Sequence, residues 1–421
     1  MCQELLATAL LACSSVTSLP GPGHVLDSNL QTAAAGRGLF ISGTTAAEVT
    51  ALPHYIAAVR RAMSTPHNVS SSSAFIHSFA ISPITRDSGI GSGAITAERS
   101  LHALIPMIAD SGASGAQIFI GTNWPSNIEH LPDTYCGQLA YNASFAAADA
   151  TASARVAATF VAQFPHLNFS WYITAENFLH YLALGCEAKA WGDRHVDGLT
   201  LSRALGRYLH AWTSALHAVY PAAHFLWSPS CPEAPMRHGI STANGTFISA
   251  ATYRASFVRG LSTLLEEAPL LDTLVIQDAI GKASNVSRDG TIRYGVVAAD
   301  TVFHAQAAQE AVDHVATSRG SPMPRVQINM EMFLRAGRRV PSKDIADLAA
   351  DPLENQRRMA SYNAAGFALG PSWEMHYWNK QLELGSNWTS ECRPLPCKVN
   401  AWAPPCCAAT RKRASRSKNG G

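Results

Sequence analysis

The stretch FSWYITAENF, residues 169–178, changes from an apolar run to a polar one within ten residues. Phe169, Trp171, Tyr172 and Ile173 are aromatic or β-branched, which predicts a buried strand. Glu176 follows where that strand should end. A carboxylate at the end of an apolar strand is costly unless it faces a polar cavity. The stretch therefore predicts both a buried sheet and a polar site at the edge of that sheet.

Seven further apolar runs have the same character, and each is followed by a longer segment with a helical pattern, for example residues 143–164 and 199–220. They are GLFIS (38–42), AFIHSFAI (74–81), AQIFIG (116–121), HFLWS (224–228), TLVIQ (273–277), RVQINM (325–330) and GFALGPSWEM (366–375). Eight alternations of strand and helix predict an α/β fold, a (β/α)₈ TIM barrel over residues 36–380. A doubly wound parallel sheet is the alternative, but no Gly-rich phosphate-binding fingerprint follows the first strand.

Composition sets limits on the partners of this barrel. Hydrophobic residues make up 47% of the chain and charged residues 15%, which is typical of a globular domain with a large core. A net charge of +2 and the lack of a basic, aromatic module argue against a nucleic-acid partner. No apolar run reaches the length of a membrane span, so no membrane-spanning helix is predicted.

The two ends of the chain differ from the barrel in composition. Residues 1–18 contain an apolar stretch followed by small residues, which resembles a signal peptide. Residues 381–421 form a tail that is rich in Cys and Pro and ends in basic residues. Six N-x-[ST] sequons are present, against roughly two or three expected by chance. They begin at Asn68, Asn142, Asn168, Asn244, Asn285 and Asn387. We therefore expect a secreted glycoprotein or one of the secretory-pathway lumen. Loop cysteines such as Cys136, Cys186 and Cys231 suggest disulfides there, and because seven cysteines follow the predicted signal peptide, at least one is expected to be free or intermolecular.

Four carboxylates follow the apolar runs directly. Glu176, Asp278, Glu331 and Glu374 come after the fourth, sixth, seventh and eighth runs. Because the carboxyl ends of barrel strands meet at one rim, we expect these side chains to converge there. Trp and Tyr residues lie among them, and aromatic faces beside acids suit the C–H faces and hydroxyl groups of sugars. The pattern favours a carbohydrate site.

The motifs around these acids carry a resemblance. The motifs F-I-G-x-N-W, W-Y-I-x-x-E, S-P-S, I-Q-D-x-I-G, N-M-E-x-F and W-E-x-H-Y resemble an uncharacterised glycosidase-like TIM-barrel family, known as a domain of unknown function and related to retaining glycoside hydrolases. The resemblance covers residues 36–380 and implies the barrel fold and a carbohydrate-active site with the four acids at the motif positions. One departure is Ala279, which stands where the family usually has Gly after the strand-six Asp.

We therefore predict a glycoside hydrolase that cleaves O-glycosidic bonds with two carboxylates, by a retaining mechanism. Glu176 is predicted as general acid/base and Glu331 as nucleophile, on strands four and seven, which we expect to face each other across the barrel. The predicted substrate-binding residues are Asn123, Trp124, Gln277, Asp278, Asn329, Trp373, Glu374, His376 and Tyr377. A non-catalytic carbohydrate-binding barrel is the alternative. We expect no cofactor, and no metal because metal-binding spacings such as H-E-x-x-H are absent.

Overall fold

The computed structural model describes fifteen stretches of the chain, and all structural statements concern them. They are residues 38–41, 78–84, 117–122, 132–173, 179–188, 191–232, 234–241, 245–281, 283–286, 292–320, 325–331, 333–335, 347–349, 352–370 and 372–373. The predicted signal peptide (1–18) and tail (381–421) lie outside the described residues.

A single parallel sheet forms the centre of the molecule. Its strands are β1 (Gly38–Ile41), β2 (Ser78–Ile84), β3 (Gln117–Thr122), β4 (Ser170–Ile173), β5 (Phe225–Trp227), β6 (Thr273–Gln277), β7 (Arg325–Asn329), β8 (Ala368–Leu369) and β9 (Ser372–Trp373). Neighbours in the sheet follow the chain from β1 to β8, and every pairing is parallel. All eight predicted strand runs therefore lie in this sheet, although the second strand begins at Ser78 and not at residue 74.

The last two strands close the sheet into a barrel. β8 pairs with β7, through Gln327 with Ala368, whereas β9 pairs with β1, through Leu39 with Ser372. These two short strands are separated by two residues, so together they occupy the eighth position of a closed ring. The (β/α)₈ barrel predicted from the sequence is thus the fold of the protein. Within the ring, β4 and β7 are three positions apart and not directly opposite, which corrects the expectation that they face each other.

Seven helices lie in the described part of the chain. They are α1 (Pro132–Tyr141), α2 (Phe145–Gln163), α3 (Tyr181–Leu184), α4 (Gly198–Val219), α5 (Ala250–Glu267), α6 (Ala298–Arg319) and α7 (Pro352–Ala364). α4 shows why these segments are helical: Asp197 caps its first turn by accepting N–H bonds from Leu199 and Thr200, and its apolar residues recur every three or four positions and are buried. Within the described residues, no helix combines the length and apolarity that a membrane span needs.

Two faces of the sheet carry two different cores. Alternate residues of each strand point inward, where Phe119, Tyr172, Leu226 and Val275 pack together inside the barrel. The intervening residues, such as Trp171 and Ile276, pack outward against the helices in the largest apolar cluster. Gly370, between β8 and β9, fits into the filled interior because a Cβ there would lie 2.5 Å from Val275 Cγ1. The barrel interior is therefore packed and not an open channel.

Short β-hairpins extend the connections that follow β4, β5, β6 and β7. Their paired strands are Cys186–Ala188 with Arg194–Val196, Ile240–Ser241 with Phe247–Ile248, Ser284–Val286 with Ile292–Tyr294, and Phe333–Arg335 with Asp347–Ala349. All four connections leave the carboxyl ends of the barrel strands. The hairpins therefore build the molecule outward on the side where barrels of this kind carry their sites.

Candidate functional site

Glu331 lies two residues beyond the carboxyl end of β7 and is completely buried. Asn329, the last residue of β7, has the same inward parity, and Gln277 lies opposite it at the end of β6. Both amides are also completely buried. Local sequence explains the arrangement, since RVQIN alternates side chains that face the helices with side chains that face the barrel interior. A polar group of one acid and two amides thus lies at the carboxyl end of the barrel.

Hydrogen bonds fix the orientation of these amides. Ser230 Oγ donates to Gln277 Oε1 over 2.6 Å, and Gln277 Nε2 donates to the carbonyl oxygen of Ser228 over 3.0 Å. Asn329 Nδ2 lies 3.5 Å from Ser228 Oγ. The two serines come from the connection that follows β5, so three neighbouring strands contribute to one polar group. Ser228 and Ser230 were not among the predicted site residues, although both belong to the S-P-S motif at the end of the fifth apolar run.

Asp278 points in the opposite direction from Gln277. Its Oδ2 accepts hydrogen bonds from Arg358 Nη1 at 3.0 Å and from the Tyr362 hydroxyl at 2.9 Å, and both donors belong to α7. Its Oδ1 accepts the backbone N–H groups of Ile280, at 3.2 Å, and Glu331, at 3.1 Å. The structure therefore places Asp278 on the outer side of β6, behind Glu331, and not beside Gln277 on the inner face. Four protein donors already occupy its oxygens, which supports a positioning role and corrects the expectation of a rim acid open to substrate.

Arg358 connects this acid to Glu331. The same Nη1 that binds Asp278 also donates to the backbone carbonyl oxygen of Glu331 over 2.9 Å. Arg358, Asp278 and Tyr362 are all buried, with 1% or less of each residue exposed. Burial alone lowers the pKa of Arg358, but the Asp278 carboxylate offsets this and holds that pKa above its ordinary value. The pair is thus a buried, charge-compensated ion pair of the kind that is costly to break.

Tyr362 completes the contacts of the acid. Burial, and then the neighbouring Asp278 charge, raise the pKa of Tyr362 well above its ordinary value. Its hydroxyl therefore stays protonated and donates to Asp278. Arg358 and Tyr362 are four residues apart on α7, so they lie on the same face of that helix. Sequence reasoning missed both residues. The sequence signal is weak: an arginine stands one helical turn before a tyrosine, and this pattern does not reveal that either side chain is buried.

Cys231 lies in the same region and is a free, buried cysteine. Burial raises the pKa of its thiol well above the ordinary value, and the charges of Asp278, Glu331 and Asp300 act in the same direction. The thiolate is the nucleophilic form of cysteine, so this residue is unsuited to nucleophilic chemistry.

Several predicted site residues lie outside the described residues. They are Asn123, Trp124, Glu176, Glu374, His376 and Tyr377, and only the backbone of Trp373 is described, in β9. The predicted separation of the Glu176 and Glu331 carboxyl groups thus stays a prediction. Among the described residues, no three His, Cys, Asp or Glu side chains come together as a metal-binding group.

Comparisons with known proteins give structural likenesses at low identity. No family model matches the chain. No curated protein matches it either. One similar structure is a psychrophilic glycoside hydrolase family 10 endo-β-1,4-xylanase, with 10% identity over 82% of this chain and 88% of that chain and a TM-score of 0.41. A family 10 xylanase from Bispora sp. MEY-1 has 8% identity over 83% and 86% of the two chains and a TM-score of 0.39. A β-galactosidase from Marinomonas ef1 has 10% identity over 80% of this chain and 53% of its own, with a TM-score of 0.42. At such scores the barrel assignment rests on the strand pairing of this chain itself.

Proposed function

We propose that this protein hydrolyses O-glycosidic bonds and that Glu331 is one of its two catalytic carboxylates. The observation that carries the proposal is the position of Glu331. It is a completely buried glutamate directly beyond β7, at the end of a closed parallel barrel where such folds hold their chemistry. The barrel interior is apolar below it, and Gln277 and Asn329 lie beside it. A buried acid with polar neighbours in that position is typical of a catalytic group, whereas an ordinary solvated acid would lie at the surface.

Glycoside hydrolysis needs two carboxyl groups with different tasks. One is protonated and donates to the leaving oxygen, while the other is ionised and acts as nucleophile or as base. In this proposal Glu331 is the nucleophile and Glu176, beyond β4, is the acid/base. The resemblance of the sequence motifs supports the same assignment. A retaining enzyme then requires about 5–5.5 Å between the two carboxyl groups, whereas an inverting one requires roughly 6.5–9.5 Å.

Substrate recognition in this proposal uses amide and aromatic side chains. Gln277 and Asn329 would bind sugar hydroxyls when a substrate displaces part of their hydrogen bonding with the serines after β5. Asn123, Trp124, Trp373, Glu374, His376 and Tyr377 would form the surrounding subsites, where aromatic faces stack on sugar rings. No metal or cofactor takes part, because two carboxylates are sufficient for this reaction.

A panel of aryl glycosides and natural oligosaccharides tests the proposal. The wild-type protein is expected to hydrolyse at least one member, and Glu331→Gln should lower kcat/KM by roughly 10²–10⁴-fold, because the amide can neither attack nor exchange a proton. Glu310→Gln is the matched control, since Glu310 is an exposed glutamate of α6 that pairs with Arg254. That control should keep wild-type activity.

Two outcomes would count against this function. Full activity in Glu331→Gln would remove Glu331 from the chemistry. Saturable binding of a glycan without cleavage by the wild-type protein would favour the alternative, a carbohydrate-binding barrel. The stereochemistry of the first product, followed by NMR at the anomeric carbon, separates the retaining from the inverting mechanism.

We further propose that the chain passes through the secretory pathway. A disulfide joins Cys136 to Cys186, and bonds of this kind persist in oxidising compartments. One of the six sequons begins at Asn168, which is exposed in the turn before β4. Both features support a lumenal or extracellular location.

A further inference from the structure

Glu331, two residues beyond the end of β7, is held by its own backbone groups. Its N–H donates to Asp278 Oδ1 over 3.1 Å, and its carbonyl oxygen accepts from Arg358 Nη1 over 2.9 Å. Both groups of one residue are thus bound by the two members of a single ion pair. A residue beyond the end of a strand has left the regular hydrogen-bond ladder of the sheet, so its backbone needs other partners to fix its direction.

The ion pair is itself fixed on both sides. On the sheet side, the backbone N–H of Asp278 donates to the carbonyl oxygen of Asn329 over 2.9 Å. On the helix side, Tyr362 donates to the same Oδ2 that accepts from Arg358. The Thr301 hydroxyl, from α6, donates to the backbone carbonyl oxygen of Asp278. Contacts from α6, α7 and β7 therefore converge on Asp278, which in turn binds the N–H of Glu331.

We propose that Asp278, Arg358 and Tyr362, which we call the positioning cluster, set the location of the Glu331 carboxyl group for its reaction. The inference rests on the proposed function, because it assigns these residues to the catalytic use of Glu331. They are positioning residues: Asp278 and Arg358 bind the backbone of Glu331, and Tyr362 binds Asp278. Their effect passes through a rigid contact, since displacement of a reacting group by about 1 Å can lower a rate by roughly 100-fold.

The geometry indicates that the ion pair does more than join α7 to the barrel. An Arg–Asp pair that only joined α7 to the barrel could bind any part of β6 or β7. Here both partners bind the backbone of the same residue, Asp278 at its N–H and Arg358 at its C=O, and that residue carries the buried carboxyl group. α7, on the outside of the barrel, thereby determines where an interior side chain is placed.

Tyr362→Phe is the variant that tests this inference. Asp278→Asn would leave Arg358 buried without its counter-charge and could prevent folding. Tyr362→Phe removes one hydroxyl group, keeps the shape of the ring and leaves the ion pair in place. Tyr253→Phe is the matched control, because Tyr253 is also a buried tyrosine, and its hydroxyl group binds His304 on α6 and not the positioning cluster. Arg358→Lys, which keeps the charge but not the planar fork, is a second variant.

The first measurement needs no substrate. Hydrogen–deuterium exchange of the Glu331 amide, resolved by fragmentation mass spectrometry, should be roughly three- to tenfold faster in Tyr362→Phe than in the wild type, because a partner of its acceptor has been lost. Tyr253→Phe should leave this amide at the wild-type rate. Equal exchange at Glu331 in the two Tyr→Phe variants would overturn the inference.

The second measurement uses an aryl glycoside that the wild-type protein hydrolyses. Tyr362→Phe and Arg358→Lys should lower kcat by roughly tenfold with KM unchanged, whereas Tyr253→Phe should keep both values. Faster exchange with unchanged kcat would overturn the positioning role and leave the proposed function standing. If the wild type hydrolyses no glycoside, the proposed function fails, and the catalytic part of the inference fails with it; the exchange result then establishes only the structural contact.

Discussion

His304 is a completely buried residue of α6 with a defined tautomer. Its Nδ1 lies 2.9 Å from the carbonyl oxygen of Asp300, which can only accept, so Nδ1 carries the hydrogen. Its Nε2 therefore accepts from the Tyr253 hydroxyl, at 3.0 Å. Burial lowers the pKa of His304 to about 4, although Asp300 acts in the opposite direction. Burial also lowers the pKa of His180 to about 4, and the nearby His304 adds to this effect.

These two histidines make the protein sensitive to acid. Their folded-state pKa values of about 4 lie below the ordinary histidine value of 6.5, so between these pH values the unfolded chain binds more protons than the folded one. The contribution of the histidines to stability is therefore full above about pH 6.5 and falls as the pH is lowered toward 4. One histidine that titrates alone accounts for a loss of roughly 3 kcal/mol in the free energy of unfolding. Urea unfolding at pH 7.5, 6, 5 and 4.5 should show a midpoint that decreases through this range.

His304→Gln separates this effect from the titration of carboxylates. The variant keeps a side chain that can accept from Tyr253 but cannot become charged, so it should lose less stability than the wild type between pH 7.5 and 4.5. Identical pH profiles for the two proteins would show that His304 does not contribute to the acid response.

Adjacent residues show what the sequence could and could not indicate at this scale. Period-two alternation predicts that Gln277 and Asp278 face opposite sides of β6, so the outward direction of Asp278 was accessible from the pattern. The partner of Asp278 was not, because Arg358 is 80 residues away and nothing local marks an arginine as buried. Ala279 is an intermediate case: its φ of +55° is a conformation that Gly adopts without strain, which fits the departure noted at this position.

Among the elements, α1 and the first hairpin are joined covalently. The Cys136–Cys186 disulfide lies in a small apolar cluster with Ala188, Val196 and Leu201, separate from the main core. Because this satellite cluster is small, the cross-link should contribute much of its stability. The bond closes a loop with a sequence separation of 50, and a loop of this size corresponds to about 4 kcal/mol in the chain-entropy model.

We therefore expect the double variant Cys136→Ala/Cys186→Ala to lose about 3–4 kcal/mol in free energy of unfolding, measured by urea denaturation. A reducing agent should destabilise the wild type and leave the double variant unchanged. Cys231→Ala is the control, since it removes a buried thiol that is not cross-linked and should respond to the reductant as the wild type does. A double variant as stable as the wild type would indicate that the loop is already ordered without the bond.

Long and short elements differed in how well the sequence predicted them. α2 and α4 extend over several turns with repeated apolar positions, so the predicted segments 143–164 and 199–220 agree with the observed helices. The hairpins have strands of two or three residues, which are too short to show alternation. Their pairing depends on turn geometry and on contacts with neighbouring connections, and a local sequence pattern indicates neither of these.

For the whole molecule, the prediction of the barrel succeeded because the apolar runs repeat. Each strand of a parallel barrel is buried on both faces, so it appears as a short continuous apolar segment that ends at polar residues. Closure was predicted from the number of runs alone, and the pairing of β9 with β1 confirms it. The site was less accessible, because which acids converge depends on the direction of each side chain and on the helix behind it.

The proposed secretory route predicts which sequon is used. Asn168 is exposed before β4, whereas the amide of Asn142 is engaged: its Nδ2 donates to Gln138 and its Oδ1 accepts from Ser144. Expressed in a eukaryotic host, the protein should lose mass on endoglycosidase treatment, and Asn168→Gln should remove one glycan from the product. Asn142→Gln should change the mass less. A product whose mass is unaffected by the enzyme would contradict the secretory route.

The closure of the barrel by β8 and β9 also affects how the chain folds while it is being synthesised. A growing chain emerges from the ribosome with β1 first, yet the partner of β1 on one side, Ser372–Trp373, is made last. About 330 residues separate the two strands, so at about 5–20 residues per second the open edge of β1 waits for roughly 20 s to one minute. During that interval the unpaired backbone of β1 can accept a strand from another chain. The yield of folded protein in a cell should therefore depend on how quickly translation finishes and on which chaperones cover that edge meanwhile.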